Sequence, residues 1–404
     1  MWEPLRLRDF RLVWAGSAVS LVGDQFFIVA VPWVVLALTQ SALQVGTVMM
    51  LSALPRAAFM LLGGAVTDRV PPRSITFYSN LLRGLLVGAL AFAEASGALR
   101  IAHLYALALV FGLVDAFAYP AFQTLLTMLV PGDRLPAANS LMQSTAQLGA
   151  LVGPAAAGAV VAAAGAAPAF GVDAMTFLFA ALMLYVMAGG RGLAGGGAAV
   201  ARPPSQRLLD DVRQGLLVVW RYPPARGLIL LMAGVSLATA GPSTVGLATV
   251  AQRRFGGAAG FGVMLSALGA GALAGALLAG AVRQARRRGP TWLAISALVG
   301  LCLAGLGVTA SVPQAAALLA AIGAGSGFIN VVFVSWLASV TPADLLGRVT
   351  SVVLFASVGL TPVSYLLAGL LAEGHPALMF FAAGVLVALV VVLAAADPAV
   401  RAID

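Results

Sequence analysis

Twelve apolar stretches, nearly free of charge and most of them 20 residues or longer, leave this chain few ways to fold. In hydrocarbon each backbone N–H and C=O must be satisfied within its own segment, so every such stretch has to be an α-helix. About 20 apolar residues suffice to cross a bilayer. The stretches cover approximately 10–38, 43–67, 74–95, 101–129, 137–163 and 169–189. After a polar interval they resume at approximately 226–251, 258–282, 290–310, 313–340, 347–372 and 375–396. A soluble domain of 404 residues would carry far more charge than the 9% present here, and less than 61% hydrophobic residues. The expected fold class is therefore an all-α polytopic membrane protein with twelve transmembrane helices. The first stretch begins near Phe10 and is as long as a full span, which distinguishes it from the shorter core of a cleavable signal peptide.

The placement of arginine sets the expected orientation. All 23 basic residues are arginine, and the net charge is +9. A basic chain can be a nucleic-acid binder, but here the charge sits in alternate loops, which is a topology signal. Eighteen arginines flank span 1 or fall in loops 2–3, 4–5, 8–9 and 10–11, the central segment and the tail. Only three, Arg100, Arg253 and Arg254, fall in the opposite loops. Both termini are thus expected on the cytoplasmic side of a bacterial inner membrane.

The polar interval divides the chain into an N-terminal six-helix bundle at 1–189, a linker at 190–225 and a C-terminal six-helix bundle at 226–404. The linker opens with a glycine-rich stretch, Gly192 to Gly197, and then reads as an amphipathic helix from Pro203-Pro204-Ser205 to Pro223-Pro224. Leu208, Leu209, Val212, Leu216, Val219 and Trp220 fall on one face, suited to lie on a membrane or on the bundle. Weak internal echoes support a duplication. Met50-Leu51-Ser52-Ala53-Leu54 recurs as Met264-Leu265-Ser266-Ala267-Leu268, and Gly64-Ala65-Val66 as Gly280-Ala281-Val282.

One turn joins spans 2 and 3: Gly63-Gly64-Ala65-Val66-Thr67-Asp68-Arg69-Val70-Pro71-Pro72-Arg73. Two apolar spans joined by so short a basic turn must be adjacent antiparallel helices. The turn resembles the loop 2–3 motif of the major facilitator superfamily, G-x-x-x-D-R/K-x-G-R-R/K, through Gly64, Asp68, Arg69 and Arg73. Pro71 stands where that motif usually has glycine. The resemblance implies a major facilitator fold, with two pseudo-symmetric six-helix bundles. It also implies that Asp68 closes a cytoplasmic gate against the positive N-terminus of helix 11. The plain alternative is a positive-inside anchor. In span 5, Gly149 to Gly158 resembles the antiporter motif of exporters, G-x-x-x-G-P-x-x-G-G, through Gly149, Gly153, Pro154 and Gly158, with Ala157 in place of the penultimate glycine. Ordinary small-residue helix packing would give a similar pattern. Segments beginning Phe10-Arg11-Leu12-Val13-Trp14, together with Gly23-Asp24, Leu54-Pro55-Arg56, Asn80-Leu81-Leu82-Arg83 and Tyr119-Pro120-Ala121-Phe122, resemble the branch of macrolide-efflux proteins and enterobactin-type siderophore exporters.

An ionisable side chain inside a span is expensive, so each one is a functional candidate. Asp24 lies in the middle of span 1 and Asp115 in the middle of span 4. Arg56 and Arg83 lie inside spans 2 and 3. Asp173 and Glu94 read as closer to the ends of their spans and more easily hydrated. The superfamily resemblance implies that helices 1, 4, 7 and 10 line a central cavity. Asp24 and Asp115 would then border it, with Gln25, Tyr119, Gln123, Ser236, Thr239 and Asn330 as its polar lining. Such acids suit proton coupling or a cationic substrate. Equally, they suit structural ion pairs with Arg56 or Arg83. His103 and His375 fall at helix ends and read as solvated. Cys302 is the only cysteine, so neither a disulfide nor a metal site can rest on it.

No P-loop, nucleophile elbow, zinc-protease motif or cofactor fingerprint is present, and the chain reads as neither an ATP-driven pump nor an enzyme. No metal and no cofactor are expected. The expected partners are a small-molecule substrate, protons and the lipid bilayer, with no nucleic acid, and the expected state is a monomer. The expected activity is export of a hydrophobic or amphipathic compound, of drug or siderophore type, by proton antiport with alternating access. A lipid or lysolipid flippase of the same fold is the nearest alternative, and a non-transporting receptor or scaffold is the alternative from another class.

Overall fold

The computed structural model describes residues 2–67, 70–187, 220, 223–255, 257–281, 288–341, 349–350, 352–353 and 356–401. Asp68, Arg69 and nearly all of the expected linker helix lie outside the described residues. Among the described residues, twelve helices are long and apolar enough to cross a membrane. They are α1 (Arg8–Thr39), α2 (Ala42–Thr67), α3 (Pro72–Ala95), α4 (Ile101–Leu129), α5 (Leu135–Ala164) and α6 (Ala166–Met187). Next comes α7, in two segments, Pro223–Gly241 and Leu247–Arg254. The series ends with α8 (Ala258–Ala281), α9 (Arg288–Leu306), α10 (Val312–Val340), α11 (Ala356–Gly374) and α12 (Pro376–Ala396). At 32 residues, α1 is about 48 Å long, more than the ~30 Å of a hydrocarbon core, which lets its first turn carry Arg8, Asp9 and Arg11. A single residue, Gly165, separates α5 from α6. Its φ of 81° is one that a side chain would resist, and it permits the abrupt reversal.

The chain divides into two compact units. The first comprises Met1–Gln40 and Leu51–Pro204, the second Ser41–Met50 and Ser205–Asp404. In the first, α6 packs along both α1 and α3, while α1 also runs against α5. Glycines set these approaches. A Cβ at Gly16 would lie 3.1 Å from the Ala180 Cα, and one at Gly84 would lie 2.8 Å from the Leu178 side chain. The inward face of α6 reads Phe170, Asp173, Phe177, Ala180 and Leu184, all buried and spaced at helical period.

In the second unit, α8 and α10 form a seam in which each helix offers glycines to the other's backbone. A Cβ at Gly271 or Gly275 would run into the carbonyl oxygens of Ala320 or Ala324. One at Gly323 or Gly327 would run into those of Leu268 or Ala272. Small residues at this spacing let backbones touch where lipid offers no hydrophobic drive for association. Arginines finish two helices by donating to their terminal carbonyls. Arg253 reaches Ala372 at 3.3 Å and Glu373 at 3.1 Å, and Arg254 reaches Gly307 at 2.9 Å. Two of the three arginines in the opposite loops therefore neutralise helix C-termini. The Glu373 carboxylate caps the start of α2, accepting from Ser41 Oγ at 3.0 Å and from the Leu43 N–H at 2.9 Å.

The sequence reads as one continuous seventh span, whereas the structure interrupts it with a π-helical turn at Pro242–Gly246. Pro242 has no N–H to donate, which loosens the ladder. Just before it, the Ser364 hydroxyl of α11 accepts from the Gly241 N–H at 2.7 Å and donates to the Leu237 carbonyl at 2.6 Å. Those are the two groups that a regular helix joins to each other. Ser364 is 1% exposed. Ser364→Ala is expected to lower stability by about 1–3 kcal/mol, seen as a lower unfolding temperature in detergent. An unchanged temperature would mean that the hydroxyl contributes nothing.

Candidate functional site

Five helices of the first unit each contribute one ionisable side chain to a common cluster: Asp24 from α1, Arg56 from α2, Arg83 from α3, Asp115 from α4 and Asp173 from α6. Arg83 Nη2 donates to Asp115 Oδ1 in a direct ion pair. The pair is 16% exposed at the arginine and 32% at the aspartate. Aromatic rings hold the guanidinium in place, with its carbon 5.9 Å from the Phe111 ring centre and 5.6 Å from that of Phe177. Phe111 is itself stacked on Phe27, at 4.9 Å and 4°. Arg56 lies 6.0 Å from the Tyr119 ring, and its buried Nε has no hydrogen-bond partner.

Asp24 is half-buried and lies in the field of both Arg83 and Arg56. Among the described residues it makes no direct ion pair. The intramembrane pair is thus Arg83 with Asp115, rather than Asp24 with Arg56. Gly23, next to Asp24, is buried against α6. A Cβ there would collide with the Thr176 hydroxyl and lie 2.8 Å from Asp173 Oδ1.

Asp173 corrects the sequence reading, which placed it near a hydrated end. It is 0% exposed, and neither carboxylate oxygen has a hydrogen-bond partner. The reason is the face it occupies. Hydropathy measures distance from a helix end, while burial depends on azimuth, and Asp173 shares the Phe170–Phe177–Ala180 face that α1 and α3 cover. The spacing of those residues could have revealed this.

The other candidates separate by unit. Gln25 Nε2 donates to the Leu21 carbonyl at 3.5 Å, and its stem fills the space above Gly153, where a Cβ would come within 2.5 Å of Gln25 Cγ. The glycines of the antiporter-like motif thus face α1, with Gly149 opposite Leu21, while Pro154 and Gly158 are buried in α5. Tyr119 and Gln123 are exposed on α4. Of the gate residues, Gly64 lies in the last turn of α2. Arg73 donates to the Leu184 carbonyl at 3.3 and 3.0 Å, next to the C-terminus of α6. In the second unit, Ser236 and Thr239 of α7 and Asn330 of α10 border one cavity of ≈ 200 Å³, together with Ser296, Ser326 and Trp292. Its walls carry hydroxyls, an amide and aromatic surface but no charge. Trp292 also belongs to an aromatic cluster with Phe333 and Trp336, at 6.3 and 5.6 Å. Sequence reasoning did not single it out.

Twelve apolar helices among the described residues, with a polar cavity and buried charges, fit a membrane protein that moves small molecules. A family model described as Major Facilitator Superfamily matches residues 13–361, and the chain belongs to that superfamily. It is 28% identical over 379 residues to the multidrug efflux pump Tap of Mycolicibacterium fortuitum, covering 92% of this chain and 89% of that one. It is 25% identical over 346 residues to the enterobactin exporter EntS of Citrobacter koseri, covering 84% and 79%. Among solved structures it resembles a bacterial homologue of the iron transporter ferroportin. There the TM-score is 0.74 and the identity 17%, over 97% of this chain and 99% of that one. Likeness at that identity speaks to the fold alone.

Proposed function

We propose that this transporter is a proton-coupled exporter of amphipathic small molecules, cationic ones in particular, in a bacterial inner membrane with both termini cytoplasmic. The observation that carries the proposal is Asp24, a half-buried carboxylate inside a span with no direct ion pair among the described residues, set among groups that can take over its charge. A carboxylate so placed is costly to keep ionised unless it serves a cation or exchanges a proton. Relatives that export drugs and a siderophore support the direction of transport. Asp115 anchors Arg83 in this scheme. Asp68, Arg69 and Arg73 would form the cytoplasmic gate, and the two bundles would alternate access between the two sides of the membrane.

The test is efflux of ethidium from proteoliposomes under an imposed pH gradient. Wild type is expected to move ethidium against its own gradient. Asp24→Asn is expected to reduce that flux by about a hundredfold, the scale of a lost proton-transfer group. Full activity in Asp24→Asn would remove Asp24 from the mechanism. If a panel of cationic and neutral dyes gives no flux while labelled lysolipid is translocated, the chain is a flippase. If nothing moves at all, it is a receptor or scaffold.

A further inference from the structure

We infer that Asp173 is the proton-holding group of the first unit, and that a single proton, exchanged between Asp173 and Asp24, completes the charge balance of the cluster. This rests on the proton-coupled reading above and names the residue and the count. A guanidinium keeps its proton in proteins, so Arg56 and Arg83 contribute two fixed positive charges. Asp24, Asp115 and Asp173 offer three carboxyl groups. Fully ionised, the five would leave one negative charge uncompensated in a low-dielectric interior, and one bound proton removes it.

Geometry selects the carrier. Asp115 has Arg83 directly on its carboxylate. Asp24 is half-buried and has two arginines acting on it. Asp173 is sealed from water, with nothing on either oxygen. The Thr176 hydroxyl donates to the Asp173 backbone carbonyl at 2.7 Å. The charged groups acting on Asp173 from the helices packed against α6 are Asp24 of α1 and Arg83 of α3, while α5 contains no charged residue. Gly23 brings the α1 backbone against the Asp173 carboxyl, one residue away from Asp24.

The exchange balances. With the site open outward, a proton from water enters at Asp24, discharges it and expels the cationic substrate. The O–H bond on Asp24 breaks as one on Asp173 forms, and one negative charge moves from Asp173 to Asp24. With the site open inward, the proton returns to Asp24 and is released to cytoplasmic water, and the next cationic substrate takes its place on ionised Asp24. One proton moves inward for each substrate moved outward.

The test uses full-length protein and ethidium. Asp173→Asn imitates the protonated side chain, so pH-gradient-driven efflux is expected to fall by about a hundredfold. Equilibration of ethidium down its own gradient should stay within about twofold of wild type and lose its pH dependence, as expected if only the proton step is gone. An Asp173→Asn protein that keeps gradient-driven efflux with the wild-type pH profile overturns the assignment to Asp173. So does one that is monodisperse yet fails at downhill equilibration, which marks a structural role. A wild type that equilibrates ethidium without responding to the pH gradient instead defeats the proton-coupled reading itself. Infrared spectroscopy of wild type at neutral pH decides the matter if Asp173→Asn does not assemble. The carbonyl stretch of a protonated carboxylic acid is expected, and its absence overturns the inference.

Discussion

Arg83→Gln is expected to destabilise the first unit by about 3–5 kcal/mol and to abolish proton-driven flux. The substitution strands Asp115 without its guanidinium and leaves three carboxyl groups facing Arg56 alone. It also removes the guanidinium that lies over the Phe111 and Phe177 rings. Breaking one side of an ion pair costs more than the pair contributes, because the remaining charge is left with nothing to answer it. The double variant Arg83→Gln/Asp115→Asn, which removes both charges, should therefore recover much of the stability but none of the coupling. Unfolding in a denaturing detergent, compared across the two single variants and the double variant, measures the interaction directly. If Arg83→Gln unfolds with wild type, the pair does not anchor these helices.

The second large effect is expected at Gly275. Valine there would drive a branched side chain into the Ala324 carbonyl, a backbone atom of α10 that cannot rotate away. Overpacking into side chains commonly costs about 1–3 kcal/mol. Against backbone the two helices have to separate, which also breaks the neighbouring contacts at Gly271, Gly323 and Gly327. Gly275→Val should be recovered as aggregate or at a small fraction of the wild-type yield. Gly280→Val, at a position of the same helix where a Cβ would meet nothing within 4 Å, should express normally. Size-exclusion profiles of the two variants give the answer. Equal profiles would show that the seam tolerates a side chain.

Hydropathy carried the twelve helices, because length and apolarity are one-dimensional properties of a span. Asp24 and Asp115 stood out for the same reason, as lone charges in apolar runs. Which acid pairs with which arginine was not legible, since pairing depends on how four helices rotate about their axes. Arg83 is 27 residues along the chain from Arg56, and nothing in that spacing favours one over the other as the partner of Asp115. Asp173 was misjudged because its distance along α6 was counted and its direction was not. Ser364 escaped notice because a serine in an apolar helix is unremarkable until the helix it faces is known. The family motifs marked Gly153 as a packing residue, and the structure supplies its contact, the stem of Gln25.

The Ser364 hydroxyl has a further consequence. Should it withdraw, the Gly241 N–H and the Leu237 carbonyl can pair with each other, and no backbone group is stranded. The two pairings therefore differ by a swap of partners rather than a loss of them, and α11 supplies the hydroxyl that decides between them.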